Sequence, residues 1–360
     1  MKNQIRFILA FAMLVPMLGL ANPIKKSWDY EKTKTIKKEF KVNADALLRI
    51  NNKFGNLDVI SWSENRVEIE VTITVKGNNE SKVISRLEKI DVNFTNSPGE
   101  VSAKTVLENS SNKWYKSNDK MNYQIDYKVK MPVTNSADFS NDYVLVSLNE
   151  IKGKAKINCD YGKMRIGSLY HADNSINIDY TNDSEIELMN GGVINADYSK
   201  LRVEKAKNIE LNADYTDLYF ENLEVLNFSC DYGKVEVENG NVVDGRGDYL
   251  TMRFGTIYKR INISADYGGI KVGKLMKGFE SVDINADYAG IKIGLESGVS
   301  FDFMAKLSYG GFDCDAENIT YNKKEVKNNS KYYEGFVNKQ NSGSKIEIST
   351  EYGNIKLYNN

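Results

Sequence analysis

Over residues 136–360, apolar and polar positions alternate with period two in short runs, the pattern of half-buried strands. INADYSKLRV, IELNADYTDLYF and INISADYGGIKV show the unit: apolar-x-apolar-x-small-Asp-Tyr-small-x-apolar-x-apolar. The two halves are out of phase. Ile194, Ala196 and Tyr198 share one parity, whereas Leu201 and Val203 share the other. The strand must therefore bend between them if both sets face inward. The residue at the break is small in most units: Gly162, Ser199, Gly233, Gly268, Ala289, Gly310 and Gly353. Glycine there predicts a corner with positive φ or close backbone approach. On the same parity the tyrosines fall with the inward set, which predicts aromatic packing inside the corner.

The dipeptide recurs at Asp142-Tyr143, Asp160-Tyr161, Asp179-Tyr180, Asp197-Tyr198, Asp214-Tyr215, Asp231-Tyr232, Asp248-Tyr249, Asp266-Tyr267 and Asp287-Tyr288, at spacings of 17 to 21 residues. Ser308-Tyr309 and Glu351-Tyr352 continue it in degenerate form. A unit this short cannot bury its own apolar edge, but coils stacked about 4.8 Å apart build one continuous core. The expected fold is all-β, a parallel β-helix or β-solenoid of short coils. The spacing is too short for strand-helix-strand crossovers.

Residues 22–135 read differently, as a small strand-rich α+β cap over one open end of the solenoid. INNKFGNLDV, residues 50–59, is a diverged first copy of the unit, and Val67 to Val75 alternates as a strand. Val83, Ile84, Leu87 and Ile90 have helical spacing, which predicts a helix over 79–90. Ser97-Pro98-Gly99 marks a turn, and 110–120 a polar loop. The polar stretch 317–344 is expected to be a hairpin or loop inserted between coils.

Residues 1–21 read as a signal peptide: Lys2 and Arg6, an apolar run from Phe7 to Leu20, then Gly19 and Ala21 as small residues near the cleavage point. No later run approaches the roughly 18 apolar residues of a membrane span. The expected location is outside the cytoplasm, in the periplasm or at the outer membrane or cell surface. Without the two leader cations, 46 basic residues face 49 acidic ones. That balance offers no electrostatic reason for nucleic acid or an anionic membrane as partner.

Composition agrees with a strand-rich chain, with 26 Gly, 22 Tyr and only 4 Pro. Cys159 and Cys230 occupy the small slot before Asp-Tyr, four coils and roughly 19 Å apart, too far for a disulfide. They and Cys314 are expected to be small buried residues.

Candidate chemistry is sparse. A column of aspartates could bind calcium, but the glycine-rich nonapeptide of calcium-binding solenoids is absent. Lys163, Lys200 and Lys234, each three residues after an Asp, are placed to offset its repulsion. Backbone donors at the corner explain the recurring carboxylate without a metal. The tyrosines could instead form a stacking surface for glycans. Arg246-Gly247-Asp248 spells an integrin-binding tripeptide, yet Asp248 is the Asp of its own coil. His171 is the only histidine, and no nucleophile elbow, metalloprotease helix or phosphate loop is present. No catalytic residue, cofactor or metal is expected.

INNKFGNLDVISW, the Met131-Pro132-Val133 step, the Asp-Tyr coils and the ending YYEGFVNKQNSGSKIEISTEYGNIKLYNN together resemble the adhesin domain family of exported bacterial proteins. This is a β-helical group compared with autotransporter adhesin heads. The resemblance implies a cell-envelope or surface protein, common in Bacteroidetes-like bacteria, and brings no functional residues with it. The sequence thus points to a non-catalytic, adhesin-like protein that mediates binding or plays a structural role; it does not identify the partner, for which a cell-surface glycan and an envelope protein are the candidates. Two alternatives are a periplasmic accessory or signalling protein and a β-helix enzyme cleaving polysaccharides with paired carboxylates.

Overall fold

Inward side chains along one coil show how the chain closes on itself. Leu201, Val203, Ala206, Ile209, Leu211, Ala213, Thr216 and Leu218 are buried in the computed structural model, which describes residues 28–108 and 121–359. Their spacing is two along the straight runs and three at 203–206, 206–209 and 213–216. Each coil therefore bends three times, and each bend resets the parity so that the next run still points inward. The expected signal peptide and the 110–120 loop lie outside the described residues.

Stacking is parallel and in register. Ile194 pairs with Leu211 and Asp197 with Asp214, then Leu211 with Phe228 and Asp214 with Asp231. The chain is nearly all β, as the alternation predicts. The strands join one continuous sheet whose inner face holds a single apolar core, including Phe139, Phe220, Phe254 and Phe301. Among the described residues, no helix is long and apolar enough to cross a membrane.

The helix falls at Glu80–Glu88, capped by Asn79, whose side chain accepts from the Lys82 N–H at 3.1 Å. Ile90 already belongs to the following strand, Ile90–Ser97. That strand turns through Pro98-Gly99 into an antiparallel partner, Glu100–Leu107. The polar stretch 317–344 contains the hairpin Ile319–Lys327 and Ser330–Val337.

Order in space departs from order in sequence at both ends. The coil 47–62 lies between strands Glu100–Leu107 and Met121–Pro132 on one side and Ser136–Asp142 and Leu145–Ile151 on the other. The coil 345–359 likewise lies inside the stack, between 281–295 and 301–314. Sequence spacing had placed Glu351-Tyr352 beyond Ser308-Tyr309. The structure reverses the two. The strand Phe301–Ser308 is covered on its outer side by Ser330–Val337, running antiparallel. The hairpin's outer strand, Ile319–Lys327, presents Lys323, Lys324 and Lys327, and charge of this kind blunts strand-edge aggregation.

Candidate functional site: the Asp-Tyr corner

At the 213–216 bend the chain turns on tyrosine, not on the small residue after it. Tyr143, Tyr161, Tyr180, Tyr198, Tyr215, Tyr232, Tyr249, Tyr267, Tyr288, Tyr309 and Tyr352 all have φ between 48° and 75°. The corner glycines do not. Gly162, Gly233 and Gly268 are small for another reason: a Cβ on each would lie 2.1 to 2.2 Å from a carbonyl oxygen of the preceding coil. Where the slot holds a hydroxyl, it donates to carbonyls, as Thr216 does to Ala196 of the preceding coil at 2.9 Å and to Asp214 of its own coil at 2.8 Å.

A left-handed backbone costs an L-residue about 1–2 kcal/mol, and the conformation sends the side chain outward. This corrects the expectation from parity. The tyrosines are 44–56% exposed rather than inside the corner. They stand in one column, Tyr143 to Tyr288 in chain order and then Tyr352 and Tyr309, with centroids 4.7 to 5.5 Å apart and planes within 15°. Phe54 closes one end, stacked on Tyr143 at 5.0 Å and met edge-on by Tyr123.

Such pairs contribute about 0.5–1.5 kcal/mol each beyond area burial, so two neighbours offset the backbone strain at each interior rung. The Tyr N–H adds a bond across the coils, for example Tyr143 to the Asp160 carbonyl at 2.8 Å and Tyr215 to the Asp231 carbonyl at 2.9 Å.

The aspartates run beside the rings. From Asp197 upward, each carboxylate accepts the backbone N–H of the acidic residue one rung above: Asp197 from Asp214 at 3.1 Å, Asp231 from Asp248 at 2.8 Å and Asp287 from Glu351 at 2.8 Å. This is the backbone role that the corner chemistry predicts. Asp142, Asp160, Asp179, Asp214, Asp248 and Asp266 share the column.

Two of the three lysines expected to offset the aspartates turn to other partners. Lys200 faces Asp217 at 3.8 Å and Lys234 faces Glu236 at 3.9 Å, both within the next wall. Among the described residues, a cation reaches in only at the column's first rung, Lys53 to Asp142 at 3.0 Å. Burial, then the neighbouring Asp142 and Asp179, push the Asp160 carboxyl above its ordinary pKa. Desolvation within the stack, then adjacent phenols and carboxylates, raise those of Tyr198, Tyr232 and Tyr288. Among the described residues, no three His, Cys, Asp or Glu side chains converge as metal ligands would.

An asparagine column two residues before Asp was not read from the sequence. Asn177 donates to Asn158 at 2.8 Å, Asn195 to Asn177 at 2.7 Å and Asn212 to Asn195 at 3.1 Å. Its signal was present in INCDY, INIDY, INADY and LNADY. Arg246, Gly247 and Asp248 lie within the stacked coils: the Gly247 N–H is bonded to Ser264, and the Asp248 carboxylate belongs to the column. His171 accepts the Asp173 N–H at 3.0 Å in a turn. Cys159 and Cys230 are buried, and burial pushes both thiols up to about 12, whereas Cys314 is only half-buried.

Because each interior ring is sandwiched, its faces are closed to ligands. A partner meets ring edges, phenolic oxygens and carboxylates, which removes face stacking of sugars as the binding mode along the column.

No protein-family model matches the chain, and no curated protein matches it. Solved structures similar to it include a candidate cell adhesion protein from Clostridium sporogenes, 12% identical, covering 91% of this chain and 100% of that one, TM-score 0.17. A candidate adhesin from Bacteroides fragilis is 10% identical over 90% of this chain and 97% of its own, TM-score 0.22. A candidate lipid binding protein from Parabacteroides distasonis is 13% identical over 90% and 96%, TM-score 0.25.

Proposed function

We propose that this is a non-catalytic, exported cell-envelope or surface protein that binds another surface through its solenoid wall, with the Asp-Tyr corner as the contact edge. The observation that carries this reading is the column of eleven exposed tyrosines beside unbalanced carboxylates. At about 4.8 Å per rung the edge is roughly 50 Å long, rigid and regular. Tyrosine suits such an edge, since its apolar body and polar tip give contact area at low cost in side-chain entropy. Anionic partners are disfavoured, and neutral or cationic polymers and protein surfaces are the classes that fit.

Protease digestion of tagged protein on intact cells, compared with permeabilised cells, tests the location. Digestion on intact cells supports surface display. Protection until permeabilisation moves the site of action to the periplasm and favours an accessory role toward an envelope partner. For the edge itself, Asp197→Asn, Asp214→Asn and Asp231→Asn combined keep the acceptor oxygens and remove three charges. With folding intact, this variant is expected to lose binding to cells or glycan arrays, and unchanged binding would move the contact elsewhere on the wall.

A further inference from the structure

The segment Lys345–Asn359 is the last described coil in sequence but not the last in space. One side of it pairs with 281–285 and 291–295, the other with 302–308 and Phe312–Cys314. Phe312–Cys314 pairs in register with Ile355–Leu357 of this segment. Ile346, Ile348, Ile355 and Leu357 are buried in the core. The Tyr352 ring sits 4.7 Å from both Tyr288 and Tyr309. The segment therefore fills a slot whose two walls come entirely from earlier residues.

The connector into the slot, residues 338–344, is mostly exposed and turns through left-handed Asn338, Asn341 and Gly343. Every contact within the slot is indifferent to which chain that connector belongs to. An element that fills a self-complementary slot through an exposed polar connector is the arrangement from which identical chains exchange elements.

We propose that copies of this chain associate by exchanging the C-terminal coil, residues 345–359 of one copy filling the slot between coils 281–295 and 301–314 of a second. The occupant is specific because the slot demands a tyrosine in ring register, a backbone N–H placed to meet the Asp287 carboxylate, and four inward aliphatic side chains at fixed spacing. A seven-residue connector reaches about 24 Å at most, so exchanging copies meet side by side at their C-terminal ends. This inference is independent of what the wall binds.

Asn285 and Ser349 are register partners across one wall of the slot. In a full-length Cys314→Ser background, the double variant Asn285→Cys/Ser349→Cys is expected to close a disulfide within each chain, confirming the register. The two single variants are then mixed, warmed below the main unfolding transition, cooled and oxidised. The expected product is a dimer whose disulfide, located by mass spectrometry, joins position 285 of one chain to 349 of the other. No such bond in the mixture, while the double variant closes its own, overturns the proposal. So does failure of the double variant to close, because the coil would then not occupy the slot.

Discussion

The backbone N–H of Glu351 donates to the Asp287 carboxylate at 2.8 Å, across 64 residues of sequence. The same bond joins Asp214 to Asp197 across 17. The corner thus enforces one local geometry whichever coil supplies the next rung, and four consequences of that geometry are open to measurement.

Tyr215 has a left-handed φ of 52° and stacks on Tyr198 and Tyr232 at 4.9 and 4.8 Å. Tyr215→Ala loses both stacks and keeps the backbone strain, so a loss of about 1–3 kcal/mol is expected. Tyr215→Gly loses the stacks but relieves the strain, and should be more stable than the alanine variant by about 1 kcal/mol. Urea denaturation followed by circular dichroism compares them, and equal stability of the two would mean that the left-handed turn costs nothing here.

The Asp160 carboxyl is raised by burial and by Asp142 and Asp179, from an ordinary value of 3.8. A raised carboxyl binds its proton more tightly folded than unfolded. Its contribution is therefore fully present below the unfolded pKa and is lost as pH rises through the folded one. Asp160→Asn should flatten the fall in stability between mildly acidic and neutral pH and raise the urea midpoint at pH 7. A midpoint that drops at pH 7 would contradict this assignment of the burial and repulsion.

Asn195 donates to Asn177 and accepts from Asn212. Asn195→Asp removes the donor and sets a carboxylate against the Asn177 oxygen, at a cost of about 0.5–1.5 kcal/mol at pH 7. Protonation restores a donor, so the difference from the parent should shrink near pH 3. Thermal melts of the pair at both pH values check the recovery.

Burial holds the Cys159 and Cys230 thiols near 12, and both side chains are enclosed. Thiolate is the reactive form. Iodoacetamide at pH 8 should therefore modify the half-buried Cys314 first and leave the other two untouched until denaturant is added. Peptide mapping by mass spectrometry distinguishes the three, and rapid native labelling of Cys230 would show that its coil opens locally.

Much of this molecule was legible because its information is local and repeated. Alternation of period two, the parity break at Asp-Tyr and the 17–21 residue spacing were enough for parallel coils, and Asn79 with its downstream apolar spacing was enough for the helix. Parity alone misled at Tyr198. A residue in the left-handed region leaves the strand's alternation, so its side chain can point outward while its neighbours in sequence obey the pattern. Nothing in a one-dimensional count distinguishes the two.

The order of the terminal coils was decided only in three dimensions. NIKLY at 354–358 and the corresponding run in any other coil carry the same pattern, so local preference is indifferent to which strands become neighbours. Pairing of whole edges settles it. Tyr352 lies between Tyr288 and Tyr309, where both sides of its coil find ladder partners, while the antiparallel strand Ser330–Val337 covers the outer strand left behind. Sequence by itself determined the coil, its period and its corner dipeptide. Tertiary structure decided which way the tyrosines face and which coil lies last, since both depend on backbone torsion and on long-range pairing that no local pattern encodes.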